Sequence, residues 1–139
     1  MTLPPVVLLV EDSEDDRMFF SRAIQKIGPE VRVTYAEDGQ QAVDRLSGRG
    51  AFSDLVGHPR PTHVILDLKL PKLTGMEVLE WMRRKSAVRD VPVIILTSSE
   101  SMEEIERARL LGVDDYLVKP ASFEKLLIVV RKIFSRWKL

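Results

Sequence analysis

Short apolar runs alternate with amphipathic segments along most of this chain. The apolar runs are rich in β-branched residues, as in VVLLV before Glu11 and VIIL before Thr97. Runs of this kind are typical of strands that are buried on both faces of a parallel sheet. The pattern predicts five strands, at Val6–Val10, Val31–Ala36, His63–Asp67, Val91–Thr97 and Asp115–Val118.

The segments between these strands carry apolar residues at helical spacing, which predicts five helices. The predicted boundaries are a capping-box variant of Ser13 with Asp16, a stop at Gly28-Pro29, starts after Asp38-Gly39 and after Gly75, a capping box of Ser101 with Glu104, a stop at Gly112, and a last helix from Ser122 to near Trp137. The predicted apolar stripe of the last helix is Phe123, Leu126, Leu127, Val130, Ile133, Phe134 and Trp137.

Regular alternation of strands and helices predicts an α/β fold with a doubly wound, five-stranded parallel sheet in the order 2-1-3-4-5. We expect a single domain over residues 1–139, with its core at about 6–138 and no output domain. The irregular stretch from Ser47 to Thr62 is rich in Gly, Pro and small polar residues and predicts an extended loop.

The composition excludes several classes of function. The 21 basic and 21 acidic residues balance, so no overall charge draws the protein to nucleic acid or to a membrane. Cysteine is absent, which excludes disulfides, thiolate metal sites and thiol catalysis. The N-terminal apolar run is too short for a signal peptide or a membrane span. We therefore expect a cytoplasmic protein.

Polar residues follow four of the predicted strands at the point where each strand ends. Glu11 and Asp12 follow the first strand, and Asp67, Thr97 and Lys119 end or follow the third, fourth and fifth. The carboxyl ends of parallel strands share one edge of the sheet, where ligands bind. Carboxylate oxygens suit Mg²⁺, and a hydroxyl and an ammonium suit a phosphoryl group. The sequence thus predicts a site for both at this edge.

Each of these residues taken singly also has an ordinary structural explanation. Glu11 and Asp12 suit a helix N-terminus, Asp67 and Thr97 suit helix-entry caps, and Lys119 suits a solvated turn. A cis peptide after Lys119 would aim its side chain inward, although most bonds that precede proline are trans. The combination of the five residues, and not any one of them, favours the functional interpretation.

Four groups of residues together resemble the receiver domain of two-component response regulators. They are Glu11-Asp12, the spacing Asp67xxxPxxxGly75, Thr97-Ser98, and GVDDYLVKP from Gly112 to Pro120. The resemblance covers essentially the whole chain. It implies a flavodoxin-like (βα)5 fold and a phosphoryl group that passes from a histidine of a sensor kinase or phosphotransfer protein to Asp67.

The resemblance also implies a metal site. Asp12 and Asp67 would bind Mg²⁺ (or Mn²⁺) directly, Glu11 would act through water, and the main-chain carbonyl of Lys69 would supply a further ligand. The acidic pair is Glu-Asp here, where Asp-Asp is commoner in the family.

Switching follows from the same resemblance. Thr97 and Lys119 would contact the phosphoryl oxygens, and Tyr116 would rotate into the space that Thr97 vacates. The face made of the fourth helix, fifth strand and fifth helix would then signal to a partner. Lys69 and Ser99 lie where they would tune hydrolysis of the acyl phosphate.

The long loop and the VEDSEDD motif resemble stand-alone receivers found beside bacterial phytochromes and other hybrid sensor kinases. Ile128 and Val129 lie outside the core stripe of the last helix, which favours a homodimer through that face. Isolated surface aliphatics are the alternative explanation. His58 and His63 form no ligand pattern with the acids, and we expect both to be structural or solvated.

Two other functions fit the fold but not the residues. A metal-dependent phosphohydrolase generally needs an acid two residues after its nucleophile, and Lys69 occupies that position. A flavin-binding module needs a first loop that cradles phosphate, whereas the loop here is the acidic EDSEDD. We expect no enzymatic activity beyond self-phosphorylation and dephosphorylation.

Overall fold

The computed structural model describes residues 4–85 and 87–139, and the remaining residues of the predicted 1–139 domain lie outside the described part. Strands and helices alternate along the described chain. Their bounds are β1 Val6–Val10, α1 Glu14–Ile27, β2 Arg32–Ala36, α2 Gly39–Ser47, a 3-10 turn Gly50–Phe52, β3 His63–Leu66, α3 Gly75–Arg84, β4 Val93–Thr97, α4 Met102–Leu110, β5 Asp115–Val118 and α5 Phe123–Trp137.

The five strands form one parallel sheet in the order β2-β1-β3-β4-β5, which confirms the predicted topology. Val10, the last residue of β1, pairs with Leu66, the last residue of β3. The backbone N–H of Asp67 still donates to the Val10 carbonyl at 3.1 Å. Glu11 and Asp67 therefore leave the sheet side by side.

Apolar side chains cover both faces of the sheet, as the unbroken apolar runs predict. Along β1 the residues alternate between two clusters, because successive side chains of a strand point to opposite faces. Leu8 and Val10 pack with α2, α3 and α4, and Val7 and Leu9 pack with α1 and α5. All five residues of β1 are buried, so the acids that follow it begin in a dry environment.

Three strand boundaries differ from the prediction by one or two residues. Val31 and Val91 lie before β2 and β4, because their backbone N–H groups donate to Gly28 and Val88 in turns. Asp67 lies just after β3. Val31 and Val91 help to fill the interior without joining the sheet. Periodicity alone does not distinguish such residues from those of a strand.

Only half of the predicted capping box at α1 forms. The Ser13 hydroxyl accepts from the Asp16 N–H at 3.2 Å, but the Asp16 carboxylate contacts Lys119 and does not return to Ser13. At α3, by contrast, Thr74 and Glu77 make a complete capping box that the sequence analysis missed.

At α4, too, only half of the predicted capping box forms. The Ser101 hydroxyl accepts from the Glu104 N–H at 3.4 Å, as predicted. The Glu104 carboxylate accepts instead from the hydroxyl of Ser99, in the loop before the helix. The side chain that the pattern assigns to a cap is therefore used to order the β4–α4 loop.

The last helix buries most of its predicted stripe. Leu126, Val130, Ile133 and Phe134 are buried, whereas Phe123, the first residue of the helix, is 36% exposed.

The extended loop predicted at 47–62 follows α2, which ends at Ser47, and contains the 3-10 turn Gly50–Phe52. The Arg60 guanidinium donates to the Leu46 carbonyl at 2.8 Å, which fastens the loop to the end of α2. His58 packs edge-on against Phe52, with 5.3 Å between ring centroids. His63 lies 4.7 Å from the Trp137 ring, so both histidines pack against aromatic rings. No helix in the described part of the chain has the length and apolarity needed to cross a bilayer.

Gly75 fixes the turn between β3 and α3. Its N–H donates to the Leu68 carbonyl at 2.9 Å, and a Cβ at this position would lie 2.0 Å from the Asp67 carbonyl oxygen. The clash would be with backbone, which has little freedom to move. The glycine in the Asp67xxxPxxxGly75 spacing is thus required by the approach of two main-chain segments.

We therefore expect Gly75→Ala to lower the free energy of unfolding by about 1–3 kcal/mol, since the overpacked turn must shift. Urea denaturation measures the change. Gly57→Ala is the control, because its Cβ would meet only the Asp54 carboxylate at 3.2 Å in an exposed loop, and we expect a change within about 0.5 kcal/mol. Equal stabilities of the two variants would contradict this account.

Candidate functional site

Three carboxylates converge at the carboxyl edge of the sheet. One oxygen from each of Glu11, Asp12 and Asp67 lies within 4.8 Å of the others. Glu11 and Asp67 are only 4% and 5% exposed, whereas Asp12 is exposed. Buried carboxylates without compensating charge are costly, so this cluster requires a cation.

The chain around Glu11 holds its carboxylate in place. The Glu11 N–H donates to the Ala36 carbonyl at 3.0 Å, which continues the sheet one residue beyond β1. The Arg17 guanidinium donates to the Glu11 carbonyl at 2.7 Å, and the Ser13 N–H donates to the carboxylate at 3.1 Å. These three hydrogen bonds therefore fix the position of Glu11 without a bound ligand.

Lys119 supplies the cation in this structure. Its ammonium donates to the Asp67 carboxylate at 2.8 Å and to Asp16 at 3.2 Å, and it also contacts the Glu11 carboxylate directly. Its backbone N–H donates to the Thr97 carbonyl at 2.8 Å, so β4 positions the residue before its side chain reaches across. The described residues contain no cis peptide, and the bond between Lys119 and Pro120 is therefore trans.

The electrostatics of the edge reflect this crowding. Burial alone would lower the pKa of Lys119, but its hydrogen bonds to Asp67 and Glu11 outweigh burial and raise that pKa. Burial raises the pKa of Glu11, and the hydrogen bond from Lys119 only partly opposes the rise. Lys119 thus stays charged. The carboxylates of Glu11, Asp12, Asp16 and Asp67 lie at the same edge and outnumber its single positive charge.

This donor set fits a hard divalent cation. Mg²⁺ takes oxygen ligands and is usually held by one or two carboxylates together with waters and phosphate oxygens. Glu11, Asp12 and Asp67 offer such oxygens within one small space. Near them, the Lys69 N–H donates to the Asp67 carboxylate at 3.3 Å, while the Lys69 carbonyl as a ligand stays a prediction.

Thr97 and Tyr116 are linked to each other through the β4–α4 loop. Thr97 is fully buried, and its hydroxyl accepts from the Ser99 N–H at a long 3.4 Å. The Tyr116 hydroxyl donates to the Ser99 carbonyl at 2.9 Å. Burial raises the pKa of this phenol, so it remains a donor. Among the described residues, the Thr97 side chain makes no hydrogen bond with Asp67 or Lys119.

A cavity of about 230 Å³ adjoins the carboxylates. Its lining combines apolar side chains of α1 and α5, including Phe20 and Leu126, with the charged side chains of Asp16, Asp67 and Lys119. The acidic site therefore opens onto an apolar hollow between α1 and the β5–α5 loop.

The sequence analysis missed Asp16 as a member of this site. The first loop carries several acids in a row, and the helical turn that begins there decides which of them faces the sheet edge. The sequence pattern predicts a helix cap for Asp16, because this residue lies three positions after Ser13. No pattern in the sequence distinguishes its carboxylate from those of Glu14 and Asp15.

The ion pairs of Lys119 make a testable prediction for stability. Without added metal, Lys119→Met should lower the free energy of unfolding by about 1–3 kcal/mol, because it leaves buried carboxylates unpaired. Thermal unfolding in EDTA measures the loss. Lys125→Met, at an exposed lysine on α5, is the control and should cost little.

Millimolar Mg²⁺ should then raise the melting temperature of Lys119→Met more than that of the unsubstituted protein, since a cation binding the folded state stabilises it. Equal increases in the two proteins would show that Lys119 does not neutralise the same carboxylates.

Comparison with known proteins assigns the sequence and the fold to one family. The family model for the response regulator receiver domain matches residues 7–131. The probable methanogenesis regulatory protein FilR2 of Methanothrix harundinacea is 39% identical over 134 residues, which cover 96% of this chain and 84% of that protein.

Two cyanobacterial response regulators of known structure are also similar to this chain. Response regulator Rcp1 of Synechocystis is 31% identical over 96% of this chain and 89% of its own length. Its Mn²⁺-bound structure superimposes with a TM-score of 0.86 and covers 96% of this chain and 94% of that one. The phosphorylated cyanobacterial phytochrome response regulator RcpA superimposes with a TM-score of 0.88 at 28% identity, over 97% of this chain and 94% of its own.

These matches agree with the fold and with the order of the strands. They give no support to the alternative of a metal-dependent phosphohydrolase. Because the family model spans most of the chain and the relatives align over nearly all of it, this chain belongs to the response regulator receiver domain family.

Proposed function

We propose that this receiver domain accepts a phosphoryl group on Asp67 from a phosphohistidine of a sensor kinase or phosphotransfer protein. The observation that carries the proposal is the position of the Asp67 carboxylate. It is buried at the sheet edge, contacts the Lys119 ammonium at 2.8 Å, and lies within 4.8 Å of the Glu11 and Asp12 oxygens.

The transfer is a substitution at phosphorus. A carboxylate oxygen of Asp67 attacks the phosphorus atom, a new O–P bond forms, and the P–N bond to the donor histidine breaks. The imidazole leaves with the electron pair of that bond. Hydrolysis later returns inorganic phosphate and the free carboxylate. The chain acts on itself in both steps, so we assign it no turnover of an external substrate.

Glu11, Asp12 and Asp67, with the main-chain carbonyl of Lys69, would hold Mg²⁺ or Mn²⁺. Glu11 acts through water in this assignment, and Asp12 and Asp67 bind directly. The bound cation supplies electrostatic stabilisation of the charge on the transferring phosphoryl oxygens. The Mn²⁺-bound form of the relative Rcp1 supports this choice of cation.

Lys119 and Thr97 would contact the oxygens of the phosphoryl group on Asp67. The ammonium that now pairs with Asp67 would pair with a phosphoryl oxygen, because phosphorylation adds about two negative charges at that point. The Thr97 hydroxyl would donate to another phosphoryl oxygen. Its only hydrogen bond recorded among the described residues is the long one from Ser99, so little is lost when it moves.

Tyr116 would transmit that movement to the surface. Its hydroxyl is bonded to the Ser99 carbonyl, two residues beyond Thr97, so a shift of Thr97 alters the position of the Tyr116 partner. We assign the readout to the face formed by α4, β5 and α5. Lys69, which is exposed two residues after Asp67, and Ser99, which lies two residues after Thr97 and is hydrogen-bonded to Glu104, would tune how fast the acyl phosphate hydrolyses.

The relatives suggest the kind of signalling partner. RcpA is described as a phytochrome response regulator, and we propose a sensor kinase of the phytochrome or hybrid type as the phosphodonor here. We propose that the receiver domain acts in the cytoplasm and without direct contact to nucleic acid.

The phosphoacceptor assignment can be tested with a small-molecule donor. Incubation with acetyl phosphate and Mg²⁺ should add one phosphoryl group to the protein, and Asp67→Asn should abolish the addition. Intact-mass spectrometry at neutral pH measures it. Asp15→Asn, at an exposed acid on α1, is the control and should be labelled normally. A label that persists in Asp67→Asn would refute the site.

We further propose a homodimer through the α4, β5 and α5 face. Leu110, Val118 and Ile128, one on each element, are 75%, 41% and 63% exposed. Val129 packs partly against the core, so of the two residues singled out in the sequence Ile128 carries the argument. Exposed aliphatics on three adjoining elements favour a partner surface over isolated exposure.

Sedimentation velocity at micromolar concentration, with and without beryllofluoride as a phosphoryl analogue, tests the dimer. We expect Ile128→Ser to raise the dissociation constant about fivefold or more, since buried anchors dominate interfaces. Arg131→Ser, at an exposed position of the same helix, should change it little. A monomer under every condition would disprove the dimer.

A further inference from the structure

Asp16 makes an ion pair that neither the metal site nor the phosphoacceptor assignment requires. Its carboxylate lies 3.2 Å from the Lys119 ammonium, although the two residues are 103 positions apart. Asp16 is not part of the cluster formed by Glu11, Asp12 and Asp67. Its side chain is 48% exposed, whereas those of Glu11 and Asp67 are 5% and 7% exposed.

We propose that Asp16 is a positioning residue that holds the Lys119 ammonium beside the acidic cluster, and so leaves Glu11 and Asp67 available to Mg²⁺. The inference rests on the function proposed above and extends it to a residue outside the expected set.

The physical reason is competition for two carboxylates. A lysine ammonium has three donors, and among the described residues its carboxylate partners are Glu11, Asp16 and Asp67. Mg²⁺ needs oxygens of the same cluster. When the cation enters, Lys119 must give up part of its contact with Glu11 and Asp67. Asp16 offers the released donors a carboxylate without displacing the lysine from the site.

The structure supports a role through Lys119 and not through the general charge of the first helical turn. Glu14 and Asp15 share that turn and are exposed, but no ion pair of theirs is recorded among the described residues. Asp16 alone of the three lines the cavity together with Lys119 and Asp67. Its contact is therefore specific to the lysine.

Removing Asp16 should weaken Mg²⁺ binding for two reasons. Lys119 then competes fully for Glu11 and Asp67, and one negative charge near the site is lost. The pair is half-exposed, and exposed pairs of this kind contribute modestly, so we expect about a two- to fivefold rise in the Mg²⁺ dissociation constant for Asp16→Asn.

Isothermal titration calorimetry with MgCl₂ on the full chain measures these constants. Asp15→Asn, which removes the same charge from the same helical turn, should give a smaller change than Asp16→Asn. Asp16→Glu keeps the charge and should recover most of the affinity. Equal effects of Asp15→Asn and Asp16→Asn would overturn the proposal, because only a general charge effect would then remain.

A double-mutant cycle with Lys119→Met isolates the coupling. If Asp16 acts through the lysine, Asp16→Asn in the Lys119→Met background should shift the Mg²⁺ constant no more than Asp15→Asn does. The same extra shift in both backgrounds would refute the proposal.

Acetyl phosphate labelling of the unsubstituted protein separates the two levels of inference. Absence of label at Asp67 would remove the proposed function itself. Normal labelling together with an unchanged Mg²⁺ constant in Asp16→Asn would remove only the role of Asp16.

Discussion

The balance of charge at the carboxyl edge of the sheet governs the rest of this structure. Two carboxylates, of Glu11 and Asp67, are buried beside each other with a third at the surface, and a single ammonium from Lys119 keeps them in the folded protein. Because that ammonium cannot neutralise them all, the folded state retains an affinity for further positive charge. The packing of the acids is thus the physical basis for the divalent cation site proposed above.

The parallel sheet makes this concentration of charge possible. β1, β3, β4 and β5 each deliver at least one polar residue to the same edge, and the pairing of Val10 with Leu66 places Glu11 beside Asp67. The strands themselves are apolar on both sides, so the two layers of helices bury them and only their ends meet solvent. A large apolar core therefore stabilises a small polar site that would be unfavourable alone.

The contacts of the site offer a route for the switching proposed above. The Lys119 N–H is hydrogen-bonded to the Thr97 carbonyl, and Ser99 is hydrogen-bonded to both Thr97 and Tyr116. The bond between Thr97 and Ser99 is the longest of the three, and the residues lie on or next to two adjacent strands and in the loop that follows β4. A phosphoryl group on Asp67 would act on both ends of this series at once, through Lys119 and Thr97.

The sequence by itself determined the order of the elements, the topology of the sheet and the edge at which Glu11, Asp67 and Lys119 meet. Periodicity and strand-end position suffice for these, because a parallel sheet has only one carboxyl edge. The tertiary structure alone decided which side chains pair there. Asp16 and Glu104 both follow a serine by three residues, yet their carboxylates contact Lys119 and Ser99. The local spacing predicts a helix cap in both cases. The partners found, Lys119 after β5 and Ser99 in the β4–α4 loop, are decided by the tertiary structure.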